Sequence, residues 1–138
     1  MQSAPSALRL DIARAAFEEV VRELPMDSPV VRQYLRYFTS GEPVPQNDEL
    51  EAELGDDPLE IVSVQFWTQW VQTGSDKDYR RYQAVDALTW AVMLADGDPE
   101  VSYRAADETV YRTLLTFAED PERREAVLSI VQKRLGVI

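Results

Sequence analysis

Four times in this chain a small polar residue is followed at once by proline: Ser28-Pro29, Asp57-Pro58, Asp98-Pro99 and Asp120-Pro121. The pair opens helices. A Ser or Asp side chain accepts hydrogen bonds from first-turn amides that have no partner inside the helix. Proline in the next position lacks an N–H that the first turn does not need, and its fixed φ suits helical backbone. In a central strand the same proline would remove a ladder hydrogen bond. Asp57-Pro58-Leu59-Glu60 also has the acidic third residue of a capping box. The spacing predicts an all-α chain with helices opening at 29, 58, 99 and 121.

The apolar periodicity fills in the rest. Leu10, Ala13, Phe17, Val20, Val21 and Leu24 predict a first helix from about Ser6 to Leu24, stopped by Pro25. The second runs from Pro29 to about Ser40, with Val31, Tyr34, Leu35 and Phe38 inward and Gly41 as its stop. A proline-rich loop follows at 41–47, then a short acidic helix, DELEAEL, at 48–54. The next helix spans Pro58 to about Thr73. Its IVSVQFW run alternates like a strand, but the cap before it and the lack of a partner strand favour helix. Residues 76–95 form a further element, with Tyr82, Val85, Leu88, Thr89 and Val92 aligned. After a sharp turn at Ala95–Pro99, residues 99–119 are expected to be helical with a break near Ala105–Asp107. Residues 121–135 close the set before Gly136. No repeat recurs at 30–45 residues, which argues against a solenoid. Short connections predict antiparallel neighbours. The 138 residues, 45% of them hydrophobic, suit one domain with one core. The expectation is a single-domain irregular bundle of six or seven helices.

Composition removes much chemistry. There is no Cys and no His, so disulfides, thiolate chemistry, His- or Cys-based zinc and haem sites, and Ser–His–Asp systems are excluded. No Gly-rich phosphate loop exists among the five glycines. Asp96, Asp98 and Glu100 have the alternate spacing of a calcium loop, but Val101 stands where that loop needs Gly, and Asp107 where it needs Glu. Asp98 reads better as a cap. Glu18-Glu19 and Asp107-Glu108 are adjacent on helices, so their side chains diverge. The first seventeen residues lack the basic and apolar regions of a signal peptide, and no 18-residue apolar run exists. The pI of about 4.4 argues against direct contact with nucleic-acid phosphates or anionic lipid. These features point to a cytoplasmic protein with no cofactor and no metal.

Charge is distributed unevenly. Between Arg36 and Lys77 there is no positive side chain, while nine carboxylates lie within residues 37–76. Most of the net charge of −11 sits there. The carboxylates concentrate in residues 48–60, and Glu49 and Glu53 share a helix face. Asp56 and Asp57 come at the next helix start, where the helix dipole favours negative charge. One reading is a solvated corner that keeps a small protein soluble. The other is a docking face for a basic protein, built from Asp48, Glu49, Glu53, Asp56 and Asp57. The aromatics pose a similar choice. Phe66 and Trp70 align on one helix, with Trp67 about 100° round from Phe66; Tyr34 and Phe38 align, with Tyr37 to one side. Either the core face is wide, or Tyr37 and Trp67 line an aromatic groove or a homodimer interface.

Residues 27–54, DSPVVRQYLRYFTSGEPVPQNDELEAEL, resemble the RbcX-type Rubisco assembly chaperones: a Pro-containing turn, an aromatic–Leu–x–x–Phe–Ser/Thr helix (Tyr34-Leu35 to Phe38-Thr39), a loop and an acidic helix. That resemblance implies an all-helical, dimeric, non-enzymatic protein that cradles an extended peptide. It carries over this class and no groove residue, because the family's Arg-Glu-His run has no counterpart in a chain without His. The expected function is a non-catalytic helical protein-binding module, an adaptor, assembly chaperone or inhibitor, that docks a basic protein surface through residues 48–60. One alternative is an immunity-type or DNA-mimicking inhibitor of a basic toxin or nucleic-acid-binding protein. Another is an enzyme using carboxylates, alone or with a divalent metal, which requires acids from different helices to converge.

Overall fold

A computed structural model describes residues 6–42, 58–96 and 98–136. Among these residues there are six α-helices and no strand. They are α1 (Ser6–Glu18), α2 (Pro29–Ser40), α3 (Pro58–Thr73), α4 (Asp76–Ala91), α5 (Pro99–Thr116) and α6 (Pro121–Leu135), with single 3-10 turns at Val21–Glu23 and Val92–Ala95.

The capping device works as its chemistry requires. The Ser28 side chain accepts from the Val31 amide at 3.4 Å, Asp98 from Glu100 at 3.0 Å and Asp120 from Arg123 at 3.2 Å. Helix α3 does begin at Pro58, although Asp57 lies outside the described residues. A further cap has no proline to advertise it: Ser75 Oγ accepts from the Asp78 amide at 3.1 Å and opens α4. At the other ends, Gly41 and Gly136 adopt left-handed φ values of 73° and 74°, which a side chain would resist.

Several bounds differ from expectation: the element expected over 76–95 is α-helical only to Ala91 before the Val92–Ala95 3-10 turn, and the one expected over 99–119 ends at Thr116. The first helix ends at Glu18, not Leu24. The amides of Glu19 and Val20 turn to the carbonyls of Ala16 and Phe17 (3.2 and 2.8 Å), tightening the last turn into i−3 bonds. The resulting bend keeps Val20 and Leu24 buried, so the apolar stripe runs on while the α-helix does not. The expected break near Ala105–Asp107 is absent, and α5 is continuous. Ala105 and Ala106 are fully buried, and alanine is the strongest helix former. The predicted acidic helix at 48–54 lies outside the described residues.

Helix α4 is central. It packs most extensively on α5 and on α3, its neighbours in sequence. Helix α1 lies against α5 and α6, and α2 against α3 and the Val92–Ala95 turn. One buried apolar cluster draws on all six helices, through Phe17, Val31, Leu59, Leu88, Ala106 and Val127 among others. The inward face of α5 is unusually small, with Ser102, Ala105, Ala106, Thr109, Thr113 and Thr116 all buried. Small side chains let α1 and α4 approach closely. Ion pairs stitch the seams: Arg9 to Asp107 at 3.0 Å joins α1 to α5, and Arg112 to Asp86 at 3.1 Å joins α5 to α4. Arg123, at the start of α6, bonds the Glu19 carbonyl at 2.9 Å and the Glu23 carboxylate, which also lies 3.8 Å from Arg80.

Candidate protein-binding surface

Helix α3 is sorted into two unlike faces. On one, Leu59 and Val62 are buried and Phe66 packs against the core. Trp70 meets Tyr79 edge-on (centroids 5.1 Å apart, 66° between planes) and stacks over Tyr82 (6.1 Å, 9°). The Tyr79 hydroxyl donates to the Leu115 carbonyl at 3.0 Å, so this aromatic trio is fastened to α5. Trp70 is therefore committed to the α3–α4 seam.

The other face looks outward. Ile61, Val64 (55% exposed), Trp67 (46%) and Val71 (60%) lie along it, with intervals of three and four residues. Four of the seven large hydrophobic side chains exposed among the described residues belong to this single helix. A surface helix ordinarily turns charged residues to water. Here the fifteen residues Ile61–Ser75 carry no charge, and the sole charge on α3 is Glu60 in its first turn. Of the polar residues between them, Thr68 is satisfied locally: its hydroxyl donates to the Val64 carbonyl at 2.9 Å.

Of the residues singled out from sequence, Asp48, Glu49, Glu53, Asp56 and Asp57 lie outside the described residues. Their attachment is fixed by the chain, since Asp57 immediately precedes the first residue of α3. Trp67 is exposed on α3. Tyr37 is half-buried on α2, edge-on to Tyr34 with centroids 6.3 Å apart. It borders a shallow hollow of 330 Å³ together with Arg36 and Ser40. Next to this lies an open hollow of 760 Å³ on the outer side of α2, bordered by Met26, Arg32, Leu35 and Arg36. No ring contact joins Tyr37 to Trp67 among the described residues. Tyr37 thus has both Arg36 and the Glu42 carboxylate for company. Ile61, Val64 and Val71 were not anticipated as surface residues. The signal for them is the uncharged stretch 61–75 on a helix whose apolar residues cover more than one face.

Two carboxylates from different helices converge on one arginine. Asp86 of α4 and Glu108 of α5 flank Arg112, at 3.1 and 3.4 Å, and the Glu108 contact is too poorly aligned to be a hydrogen bond. Burial holds the Asp86 carboxyl above the usual aspartate range, against the pull of Arg112. Burial also raises the Tyr82 hydroxyl, and neighbouring Asp86 adds to it. Asp78 moves the other way, because the hydroxyls of Thr73 and Ser75 donate to its carboxylate. Asp98 and Asp96 turn their oxygens to the amides of Glu100 and Asp98, the local capping geometry expected in place of a calcium loop. Among the described residues, no three acidic side chains gather as a metal site. No described helix is long and apolar enough to cross a membrane.

The arrangement defines a class: an all-helical bundle with one apolar, uncharged helix face turned to solvent beside a carboxylate-rich segment. In comparisons with protein-family models, curated proteins and solved structures, nothing matches this chain.

Proposed function

We propose that this protein is a non-catalytic protein-binding module that docks a basic protein surface through residues 48–60 and the adjoining face of α3. The observation that carries this reading is the outward row Ile61, Val64, Trp67 and Val71, which begins within one turn of the acidic segment. Contiguous exposed apolar surface marks contact sites on soluble proteins. Asp48, Glu49, Glu53, Asp56 and Asp57 supply the charge that steers a basic partner, and such steering raises association rates about 10- to 1,000-fold at low salt. Trp67 supplies apolar area at the edge of that field. Tyr37, half-buried on α2, serves a partner that reaches across to that helix. An assembly chaperone and an inhibitor of a basic toxin or nucleic-acid-binding protein both fit, and the resemblance of residues 27–54 to the RbcX-type chaperones favours the first.

Capture of the partner at roughly 50 mM and 500 mM salt tests the reading, because the screening length shrinks several-fold between them. Binding is expected to fall steeply at high salt. It should also fall at low salt in the Glu49→Lys/Glu53→Lys chain, with the melting temperature unchanged. Affinity indifferent to ionic strength refutes the electrostatic part.

A further inference from the structure

We infer that the outer side of α2 is a second binding surface, for an acidic peptide segment whose carboxylates meet Arg32 and Arg36 and whose apolar side chain settles on Met26 and Leu35. This surface is distinct from the α3 face and takes a partner of the opposite charge.

The charge pattern selects the site. The chain has 25 acidic residues and 14 basic ones, so an arginine without a carboxylate is out of place. Among the described residues, Arg9, Arg22, Arg80, Arg112, Arg123 and Arg134 all pair with carboxylates. Arg32 and Arg36 form no such pair there, and both are exposed on α2. Between Asp27 and Glu42 the chain carries these two cations and no acid, the reverse of residues 48–60.

The helix gives those charges a floor. Arg32 and Arg36 are four apart, so they share one face with Cβ atoms about 6 Å apart. Arg32 Nη1 donates to the Met26 carbonyl at 2.8 Å, which fixes that guanidinium at the edge of the hollow and leaves it further N–H donors. The hollow has a volume of 760 Å³, and Met26, 44% exposed, and Leu35 form its apolar part. The hydroxyls at its far end already donate elsewhere, Thr39 to the Leu35 carbonyl at 2.9 Å and Ser40 to that of Tyr37 at 3.1 Å. The arginines are the donors left for a ligand.

Those donors select the occupant. A guanidinium fork meets a carboxylate with two parallel N–H···O bonds. Two forks about 6 Å apart match carboxylates on alternate residues of an extended peptide. From Pro29 to Ser40 the face runs roughly 17 Å, the span of about five extended residues. The net charge of −11 opposes an acidic ligand, but at 0.1 M salt its reach is only about 10 Å, so the two adjacent arginines outweigh carboxylates farther off.

The probe is a twelve-residue peptide, Ser-Glu-Leu-Glu repeated three times, with Ser-Lys-Leu-Lys repeats as its counterpart. Each is titrated to about 1 mM, the weak end of specific affinity, against the ¹⁵N-labelled chain in 0.1 M salt. The acidic peptide is expected to saturate, with its largest amide shifts over Val31–Ser40. Arg36→Glu should weaken it by about tenfold with the melting temperature unchanged. Arg36→Gln, which removes the charge without reversing it, should fall between, and Met26→Ser should also weaken binding. No shift on α2 by 1 mM overturns the inference, and so does binding that ignores Arg36→Glu or that the basic peptide reproduces on α2. A Glu49→Gln/Glu51→Gln/Glu53→Gln chain that binds the acidic peptide tenfold more tightly overturns the assignment to a partner, because the chain's own acidic segment would then be the competitor. A basic peptide that shifts Ile61–Val71 while the acidic one shifts nothing keeps the docking of a basic partner and removes this second surface.

Discussion

Helices α3 and α5 both pack on the central α4, yet they spend their apolar residues in opposite ways. Helix α5 turns a small-residue face inward; its Asp107 and Arg112 pair with α1 and α4, and its Glu108 lies against Arg112 of the same helix. Helix α3 buries Leu59 and Val62 but leaves Ile61, Val64, Trp67 and Val71 in solvent with no charge among them. The lesson is that apolar content alone does not locate the folding core. Apart from Tyr111, which is 55% exposed, the large side chains of α5 are answered within the monomer. Four of the large apolar side chains on α3 stay 39–60% exposed, so a good part of their apolar area is not used within the monomer.

That contrast can be broken by substitution. The largest effect belongs at Phe117, just after α5, which is fully buried with Arg123 over its ring at 4.2 Å. Phe117→Ala should lower unfolding free energy by about 3–5 kcal/mol in urea titration. Next comes the close seam itself. Ala106→Leu, at a fully buried position on α5, should cost about 1–3 kcal/mol by overpacking. A smaller loss, about 1 kcal/mol, is expected from Asp98→Ala or Asp120→Ala, each removing one helix cap. On α3, Val64→Ser should leave monomer stability within about 0.5 kcal/mol, because the side chain it removes is more than half exposed. A loss above ~2 kcal/mol there, measured at a concentration too low for association, would erase the contrast.

Acid titration sharpens the same comparison between a seam and a surface. Asp86 at the α4–α5 seam has its pKa raised by burial, whereas Asp78 at the exposed start of α4 has its pKa lowered by hydroxyl donors. For Asp86 the folded state holds its proton more tightly than the unfolded chain does. Its charge therefore destabilises at neutral pH, and the penalty is relieved as pH falls through its folded pKa toward the ordinary 3.8. Asp78 does the opposite: its contribution is present above 3.8 and is lost as pH falls through its lower folded pKa. Carboxyl-carbon NMR titration should give midpoints on either side of 3.8 for the two residues.

Much of this architecture is written locally. Ser28, Asp98 and Asp120 make the caps that their following prolines announce, and Gly41 and Gly136 end helices with the backbone only glycine takes readily. The cap at Ser75 passed unnoticed because no proline follows it, although Ser75 with Asp78 three residues on is itself a start signal. What periodicity could not resolve was decided by neighbours. Trp67 and Trp70 are both apolar positions on one helix. Tyr79 and Tyr82 of α4 decide which of them is held inside. The end of α1 escaped detection for a related reason, since a 3-10 turn keeps Val20 and Leu24 inward just as a continued helix would. Of the candidate site, the acidic half was legible as a run of one charge. The apolar half needed the positions of α2 and α4.

The central claim is that the outward face of α3 is a protein-contact surface, and a photoreactive benzophenone side chain at position 64 tests it most directly. Tyr111, equally exposed at 55% on α5, is the matched control position. Irradiation in cells should give chain–partner adducts from position 64, and Val71→Glu should abolish them. Adducts no more frequent from position 64 than from position 111 would contradict the account.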